Sequence, residues 1–334
     1  MSSCFTWRVF PTLLIFITHS VVLRLLAINL AIFSSLSFAH QEAAITPVTW
    51  PDSITPQMLL GKQLFFDVKL SKDNQSSCAT CHQFDKGGSI PVDRPFMFNG
   101  EKTRYNSTSI FNLNQDYVLG WLGHISTAQD QLNRLMSGKN VMGLSWSELV
   151  SKLQADAQYV ASFKKVFNAP ISMGTITRAI VSYENALVTP APFDRYMLGD
   201  ESAVSADVLE GYDLFQRYGC IACHQGRNVG SNLLQKIGIV IPFQPIGKAL
   251  SVADLGRYNF TNKPQDRQVF RVPGLRNIEK SGPYLHDGSI AELSQVIKLM
   301  GTHQLGRDIP QSDVNLIEIF LQSLTGKVHP DLLP

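Results

Sequence analysis

The sequence predicts a mostly α-helical protein that contains two similar units. A five-residue pattern occurs twice, at Cys78–His82 (the first motif) and at Cys220–His224 (the second motif). A Gly-x-x-Leu-Phe stretch precedes each motif, at Gly61–Phe65 and at Gly211–Phe215. Elsewhere apolar residues recur mostly at helical spacing, whereas the alternation typical of strands is scarce. Repeated sequence in repeated surroundings indicates a duplicated structural unit.

Both motifs read Cys-x-x-Cys-His. In such a stretch the two thiols can add to the two vinyl groups of a haem, and the adjacent imidazole then binds the iron. A redox-active Cys-x-x-Cys needs no histidine after it, and the halves of a paired zinc site usually lie within about 20 residues. We therefore expect two cytochrome c-like domains, each binding one covalent haem c. The attachment residues would be Cys78, Cys81, Cys220 and Cys223, and the iron ligands His82 and His224.

Residues 1–39 have the features of a signal peptide. They contain Arg8 and Arg24 but no acidic residue, and an apolar run ends in a small-x-small pattern at Ser37–Ala39. A retained membrane anchor is the alternative. Arg24 divides the apolar sequence, however, and neither part reaches the roughly 18 to 20 residues that a membrane span needs. We predict cleavage at the end of this pattern, and hence an exported protein without a membrane anchor.

The composition argues against two classes of partner. The chain has 334 residues with 29 basic and 27 acidic side chains, and removal of the two leader arginines leaves 27 of each. Such a balance favours neither nucleic acid nor an anionic membrane surface as a partner. Of the five cysteines, Cys4 lies in the leader and the other four belong to the motifs. No structural disulfide is therefore expected.

The first domain is predicted at residues 40–197. A polar lead-in is followed by helical spacing, and the Gly-, Pro-, Asn- and Asp-rich stretch Gln83–Asn114 predicts a long loop. Pro190 and Pro192 should stop the last helix, because proline cannot continue one. The helices are expected at Met58–Asp67, Ala128–Met136, Ser145–Leu153, Tyr159–Phe167 and Thr175–Val188.

The second domain is predicted at residues 198–334, after a connection at Phe193–Asp200. Ser205 is a suitable N-cap for its first helix, and Asp207 in the first turn favours the helix dipole. The stretch Gly226–Val269 shows no regular period. The helices are expected at Ser205–Tyr218, Ala291–Leu299 and Gln311–Leu324.

The motifs and their surroundings resemble the bacterial di-haem cytochrome c peroxidases and their MauG-like relatives. The resemblance spans nearly all of the chain after residue 39. Besides the motifs, the matching stretches are Gly61–Asp67, Tyr183–Pro190, Pro192–Tyr196, Arg271–Asn277, Pro283–Gly288 and Met300–Gly306. The resemblance implies a periplasmic peroxidase that reduces hydrogen peroxide to water with electrons from a small cytochrome c or cupredoxin. It also implies a homodimer.

The resemblance assigns different roles to the two haems. It implies that the haem on His224 receives electrons and has Met300 as its second ligand, since methionine favours the ferrous state. Trp121 matches a tryptophan that bridges the haems. Asn106 matches an asparagine that helps to hold a calcium ion, with the carbonyls of residues 272–274 as further candidates. Without the resemblance, such a methionine and tryptophan would be read as core residues.

The chain departs from the family at the haem on His82, where peroxide is expected to react. Breaking peroxide needs a group that accepts and returns a proton, and the family uses a glutamate ten residues after a glutamine. Gln131 matches the glutamine, but Val141 stands in place of the glutamate. His124 replaces a family arginine and is the candidate for proton transfer, because imidazole titrates near neutrality. A structural histidine is the alternative.

The loop before Asn106 is a second departure. Many family members carry there a histidine that occupies the iron until the second haem is reduced, but Arg94–Gly100 contains no histidine. Either the first haem is permanently open, or Met97 binds its iron, which would suit an electron carrier.

Three functions follow from these observations. The leading hypothesis is a di-haem peroxidase in which Gln131, Trp121 and His124 are the catalytic candidates. The second is an electron carrier or peroxide sensor, which Val141 favours. The third is a MauG-like oxidase of a partner protein, although the best-known MauG pattern has tyrosine where Met300 stands.

Overall fold

The computed structural model describes residues 44–137, 141–245 and 249–334, so the predicted signal peptide lies outside the described residues. The helices of the first part are α1 (Pro56–Phe66), α2 (Cys78–Cys81), α3 (Ala128–Ser137), α4 (Trp146–Gln154), α5 (Ala157–Phe167) and α6 (Met173–Ala186). Those that follow are α7 (Pro192–Met197), α8 (Ala206–Tyr218), α9 (Tyr258–Thr261), α10 (Leu293–Leu305) and α11 (Gln311–Gln322). All eight predicted helices are present, with ends that differ by a few residues. None of the helices in the described ranges is both long and apolar enough to cross a bilayer.

Polar N-cap residues set the start of five of the described helices. Thr55 caps α1, whose first residue is a proline, and Ser145 and Ser172 cap α4 and α6. Asp156 caps α5 by accepting two backbone hydrogen bonds. Ser205 accepts a backbone hydrogen bond at the start of α8, which confirms it as the N-cap. Such oxygens satisfy N–H groups that have no partner within the helix.

The repeated glycine before each motif lies where two helices cross. α1 packs along α6, and α8 packs along α11. At Gly61 a β-carbon would lie 2.0 Å from the carbonyl oxygen of Ala179, and at Gly211 it would lie 2.1 Å from that of Leu316. Only glycine lets the backbones approach so closely. The same local sequence therefore builds the same crossing beside each motif.

The irregular stretches carry little regular structure. The predicted loop Gln83–Asn114, all of which is described, contains 3₁₀ turns but no longer helix. In the second half, β1 (Leu234–Lys236) pairs antiparallel with β2 (Val269–Arg271). This small ladder holds the two ends of the second irregular stretch together.

The two ends of the described chain pack on opposite halves. Ile45 belongs to the buried cluster of α8, α10 and α11, beside the second motif. Val328 and Leu332 pack with Phe65 and Tyr183, beside the first motif. The Tyr183 hydroxyl donates to the Leu332 carbonyl at 2.8 Å. Each terminal segment thus covers the half from which it is distant in sequence.

Candidate active site

The first motif presents its histidine in the form that an iron ligand requires. The N–H of His82 closes the single turn α2 by donating to the Cys78 carbonyl at 3.0 Å. The Nδ1 atom of His82 lies 3.0 Å from the carbonyl oxygen of Gly88. Because a carbonyl only accepts, Nδ1 carries the proton and Nε2 keeps its lone pair. Burial lowers the pKa of His82, with a partial offset from this hydrogen bond, which favours the neutral ring.

One thiol of each motif is unsuited to thiolate chemistry. Burial raises the pKa of Cys78 to about 12 and that of Cys220 to about 11. The Glu184 carboxylate adds to the rise at Cys78. Redox-active dithiols and zinc sites both depend on thiolates. These environments argue against the two alternative interpretations of the Cys-x-x-Cys pattern.

The second motif opens into an apolar cavity that Met300 also lines. The cavity has a volume of about 240 Å³, and both cysteines and the histidine of the motif contribute to its wall. Burial lowers the pKa of His224 to about 4, and the carbonyls of Val229 and Pro273 offset part of this effect. A neutral imidazole and a thioether therefore face one space, as a haem with histidine and methionine ligands requires.

Trp121 lines the same cavity and is held there by the second half of the chain. It lies in a tight hairpin, residues 119–125, which we call the bridge turn. Arg257 donates two hydrogen bonds of 2.8 Å to backbone carbonyls of the bridge turn. The N–H of Arg271 donates to the Trp121 carbonyl at 2.8 Å. Two residues of the second half thus fix a side chain of the first half beside the second motif.

Asn106 joins the bridge turn to the segment before α10. Its carbonyl accepts the indole N–H of Trp121 at 2.9 Å. Its side-chain amide donates to the carbonyls of Pro283, at 2.6 Å, and Leu285, at 3.3 Å. Residues 272–274, whose carbonyls are the further calcium candidates, line the cavity of the second motif together with Asn106.

Val141 lies in apolar surroundings. It packs against the buried cluster of the first half, which includes Met136 and Leu144. Gln131, on α3, is half-buried, and its Oε1 atom has no hydrogen-bond partner among the described residues. The same holds for Nε1 of Trp146. Val141 is thus part of the hydrophobic packing of the first half.

His124 lies at the end of the bridge turn. Its ring packs against Phe260, with 4.9 Å between the ring centroids. Burial, followed by the positive charges of Arg134 and Arg257, lowers the pKa of His124. Its Nδ1 atom is buried and has no partner among the residues that the structure describes. A neutral imidazole with an unused nitrogen can accept a proton.

The loop that lacks the family histidine reaches the segment after Val141. It forms a small hairpin, in which the N–H of Met97 donates to the Glu101 carbonyl at 2.8 Å. At Gly143 a β-carbon would lie 2.8 Å from the ring of Phe98. An aromatic side chain of this loop therefore covers the backbone two residues beyond the missing glutamate.

Comparison with known proteins agrees with this arrangement. The chain is 35% identical over 323 residues to the cytochrome c551 peroxidase of Nitrosomonas europaea, and the match covers 94% of each protein. The chain belongs to the di-haem cytochrome c peroxidase family. It is accordingly an oxidoreductase of the cytochrome c peroxidase type, and membership implies two haem cofactors.

Two further matches support membership of the di-haem cytochrome c peroxidase family. A family model described as di-haem cytochrome c peroxidase matches residues 55–202. The cytochrome c551 peroxidase of Pseudomonas aeruginosa is 35% identical over 311 residues, covering 88% of this chain and 89% of that protein. Among solved structures, a MauG-like protein associated with microbial copper homeostasis has a TM-score of 0.74 at 26% identity, covering 88% and 97% of the two chains.

The side chains of this di-haem peroxidase family member fit the two haems. The first motif supplies a neutral imidazole whose Nε2 is free to bind iron. The second motif supplies a neutral imidazole that shares a cavity with a thioether. In the first half, Gln131, Trp146 and His124 each bury a polar atom without a partner in the described chain. Such an atom costs about 1–3 kcal/mol when nothing satisfies it, which fits contact with a polar group outside the chain.

Two features of the site were given no role by sequence reasoning. His286 was recognised only as part of the Pro283–Gly288 stretch, and the structure pairs it with Asp254. Glu184 lies close enough to Cys78 to raise the pKa of that thiol. Its signal was its place in the Tyr183–Pro190 stretch, but no local pattern shows that a carboxyl group is buried there.

Proposed function

We propose that this protein is a periplasmic di-haem peroxidase that reduces hydrogen peroxide to two molecules of water, consuming two electrons and two protons. A small cytochrome c or a cupredoxin would supply the electrons. The observation that carries the proposal is the single cavity shared by the second motif, Met300 and Trp121. Residues 1–39 would direct export and then be removed, and thioether bonds to the four motif cysteines would hold the haems.

His224 and Met300 would hold the iron of the electron-entry haem. A neutral imidazole opposite a thioether favours the ferrous state, which suits the acceptance of electrons from a donor protein. Trp121 lies on the wall of this cavity with its indole N–H and its carbonyl both hydrogen-bonded. Such a fixed aromatic side chain is suited to carry electrons toward the first motif.

His82 would hold the iron of the first haem, which supplies the metal at which the O–O bond of peroxide breaks. Gln131 would orient peroxide through its side-chain amide. His124 would accept a proton from the near oxygen of peroxide and return it to the leaving oxygen, which is the usual work of a general acid–base. Val141 can move no proton, so this role rests on the imidazole.

One calcium ion is proposed at Asn106. Calcium binds uncharged oxygen atoms, and the carbonyls of Pro283 and Leu285 offer two of them. The side-chain oxygen of Asn106 would offer a third after a flip of the amide, whose nitrogen now faces these carbonyls. Asn106→Ala should abolish calcium binding measured by titration calorimetry. Unchanged binding would place the ion elsewhere. The protein is further proposed to be a homodimer, which sedimentation analysis tests.

The apolar packing of Val141 supports one alternative, an electron carrier or peroxide sensor. In that function Met97 would be a second ligand of the first haem. A MauG-like oxidase of a partner protein is less well supported, because Met300 lines the cavity of His224 and stands where the best-known MauG pattern has tyrosine.

Electron paramagnetic resonance on protein carrying both haems separates these functions. The spectrum would be recorded for oxidised and half-reduced protein, with and without peroxide, beside steady-state turnover with a reduced donor. The peroxidase proposal expects a high-spin signal that peroxide consumes, together with turnover. Low-spin signals alone, unchanged by half-reduction or peroxide, would replace it with the carrier. Peroxide-dependent modification of a co-purifying protein would instead indicate the oxidase.

A further inference from the structure

Three aromatic rings form a cluster on the wall of the cavity that holds the second motif and Met300. They belong to Trp121, Phe270 and His286. The His286 ring stacks on Phe270 with 4.5 Å between centroids and 25° between planes. It meets the Trp121 ring edge-on at 6.3 Å and 75°. The indole is therefore enclosed by two rings of the second half.

The imidazole in this cluster is fixed by a buried carboxylate. The Nε2 atom of His286 lies 2.8 Å from Oδ1 of Asp254, and the two residues are 2% and 3% exposed. The other Asp254 oxygen accepts from the N–H and the hydroxyl of Ser251, both at 2.6 Å. Burial raises the pKa of Asp254, but these hydrogen bonds outweigh it and the net pKa is lowered, so the group is a carboxylate at neutral pH.

The backbone of His286 reaches Trp121 by a second route. Its carbonyl accepts the N–H of Asn106 at 2.7 Å. The carbonyl of Asn106 in turn accepts the indole N–H of Trp121 at 2.9 Å. Trp121 is thus constrained by the His286 ring and, through one peptide unit, at the only polar atom of its side chain.

We propose that His286, oriented by Asp254, is a positioning residue that fixes Trp121 for electron transfer between the haems; this rests on the proposed function. Stability alone does not explain why His286 and Asp254 are buried here, because a buried pair of ionisable groups is often no more stabilising than apolar residues of similar volume. A carboxylate-held ring has one orientation, whereas a flexible apolar side chain has several.

A metal ion is not needed to explain this group. Asp254, His286 and Asp287 bring their ligand atoms within 4.8 Å of one another. Asp254 and His286 already satisfy each other, however, and Ser251 occupies the second carboxylate oxygen.

The electron balance of the step is simple. The haem that His224 and Met300 would hold would lose one electron, and the haem that His82 would hold would gain that electron. Trp121 returns to its starting state, and its N–H remains on the weakly basic carbonyl of Asn106, so no net proton moves. His286 makes no bond to either haem in this proposal and acts only through the indole.

The kinetic test is a double-mutant cycle on protein that carries both haems. Half-reduced protein is mixed with peroxide, and the rate at which the second haem loses its electron is followed by absorbance. His286→Gln should slow this rate by roughly tenfold, since small misplacements in an active site can have effects of this size. If His286 acts through Trp121, adding His286→Gln to Trp121→Phe should cause no further loss. A further loss, or no effect of the single variant, overturns the proposal.

A spectroscopic readout tests the same proposal without turnover. The ultraviolet resonance Raman spectrum of Trp121, obtained as the difference from Trp121→Phe, reports the hydrogen bond of its indole N–H. The bond should weaken in His286→Gln and in Asp254→Asn. An unchanged spectrum in both contradicts the proposal. Asp254→Asn also serves if His286→Gln does not load both haems.

The chain offers a matched control. His329 meets Trp50 edge-on at 5.3 Å and 78°, so His329→Gln removes a comparable contact elsewhere. It should leave both the rate and the Trp121 spectrum unchanged, and an equal effect there overturns the proposal. If the wild-type protein does not react with peroxide, the proposed function fails, but the spectra still decide whether His286 positions Trp121.

Discussion

Individual residues determine where protons can reside at the first haem. His82 is held neutral with Nε2 as its free nitrogen, and His124 is kept neutral by burial and nearby arginines. Val141 lies in apolar packing and can carry no proton, while the Glu184 carboxyl lies near Cys78.

Restoring the missing carboxylate should increase reactivity with peroxide. Val141→Glu places a group that can accept and return a proton at the family position, and the second-order rate with peroxide should rise at least about tenfold. Because Val141 packs in an apolar cluster, the variant should also lose about 1–3 kcal/mol of unfolding free energy. Stopped-flow absorbance measures the rate. Val141→Gln, which cannot ionise, is the control, and equal rates for both variants would refute the explanation.

The pH dependence of peroxide reactivity should report His124. A base acts in its neutral form, and the pKa of His124 is lowered below 6.5. Reactivity should stay constant from neutral pH downward and fall only below 6.5. Arg134→Gln removes one of the charges that lowers this pKa, so the fall should move to higher pH. Lys165→Gln on α5 is the control. A profile that is the same in His124→Gln excludes His124 as the base.

Glu184 should make the protein less stable as pH rises. Burial raises the pKa of its carboxyl from 4.5 to about 8. Between these values the unfolded chain releases the proton while the folded chain keeps it, so the unfolding free energy falls with increasing pH. Glu184→Gln should be more stable than wild type at pH 8, by up to about 4 kcal/mol, and equal to it near pH 4. Thermal unfolding at both pH values tests this, with the exposed Glu210→Gln expected to show no such difference.

At the scale of elements, helix crossings and one hydrogen-bonded turn position the functional groups. The α1–α6 and α8–α11 crossings stand beside the two motifs and rest on equivalent glycines, Gly61 and Gly211. The bridge turn carries both Trp121 and His124 and is held by Arg257. The two helix pairs thus form the framework beside the motifs, and the bridge turn carries Trp121 and His124.

A β-carbon at either crossing should disrupt its helix pair. Gly61→Ala and Gly211→Ala would each place a carbon about 2 Å from a backbone carbonyl, and overpacking of this kind costs about 1–3 kcal/mol or more. Gly174→Ala in α6 is the matched control, because its nearest neighbour is 4.0 Å away. That change should be neutral or stabilise by up to about 1 kcal/mol. Denaturant unfolding measures all three, and equal effects would rule out the crossing as the cause.

At the scale of the whole molecule, buried polar contacts join segments far apart in sequence. The Arg276 guanidinium makes two bonds of 2.7 Å to Asp194, and both side chains are almost fully buried. Asp194 also accepts the backbone N–H groups of Val48 and Ala191. One carboxylate thus connects the amino-terminal segment, the start of α7 and the segment after β2.

Removing that carboxylate should destabilise the whole molecule. Asp194→Asn leaves the Arg276 guanidinium buried without a counter-charge, so the unfolding free energy should fall by about 3 kcal/mol or more. The exposed pair of Arg217 and Asp213 is the control. Asp213→Asn should change stability by less than about 0.5 kcal/mol. A loss at Asp194 no larger than that at Asp213 would show that the buried pair does not hold these segments together.

The sequence by itself determined the features that depend on a few adjacent residues. The two Cys-x-x-Cys-His motifs, the N-cap at Ser205 and all eight predicted helices follow from local chemistry and periodicity. The family also follows, because separate short stretches match in order. The helix ends were less well predicted, and α10 continues to Leu305 rather than ending at Leu299.

The tertiary structure alone decided which distant residues meet. It placed Trp121 and Met300 in one cavity, and it brought the amide of Asn106 to the carbonyls of Pro283 and Leu285. It also paired His286 with Asp254. These contacts join groups more than 30 residues apart, and no local propensity encodes them. They arise because burying apolar surface brings the segments together, and the buried polar groups must then find partners in one another.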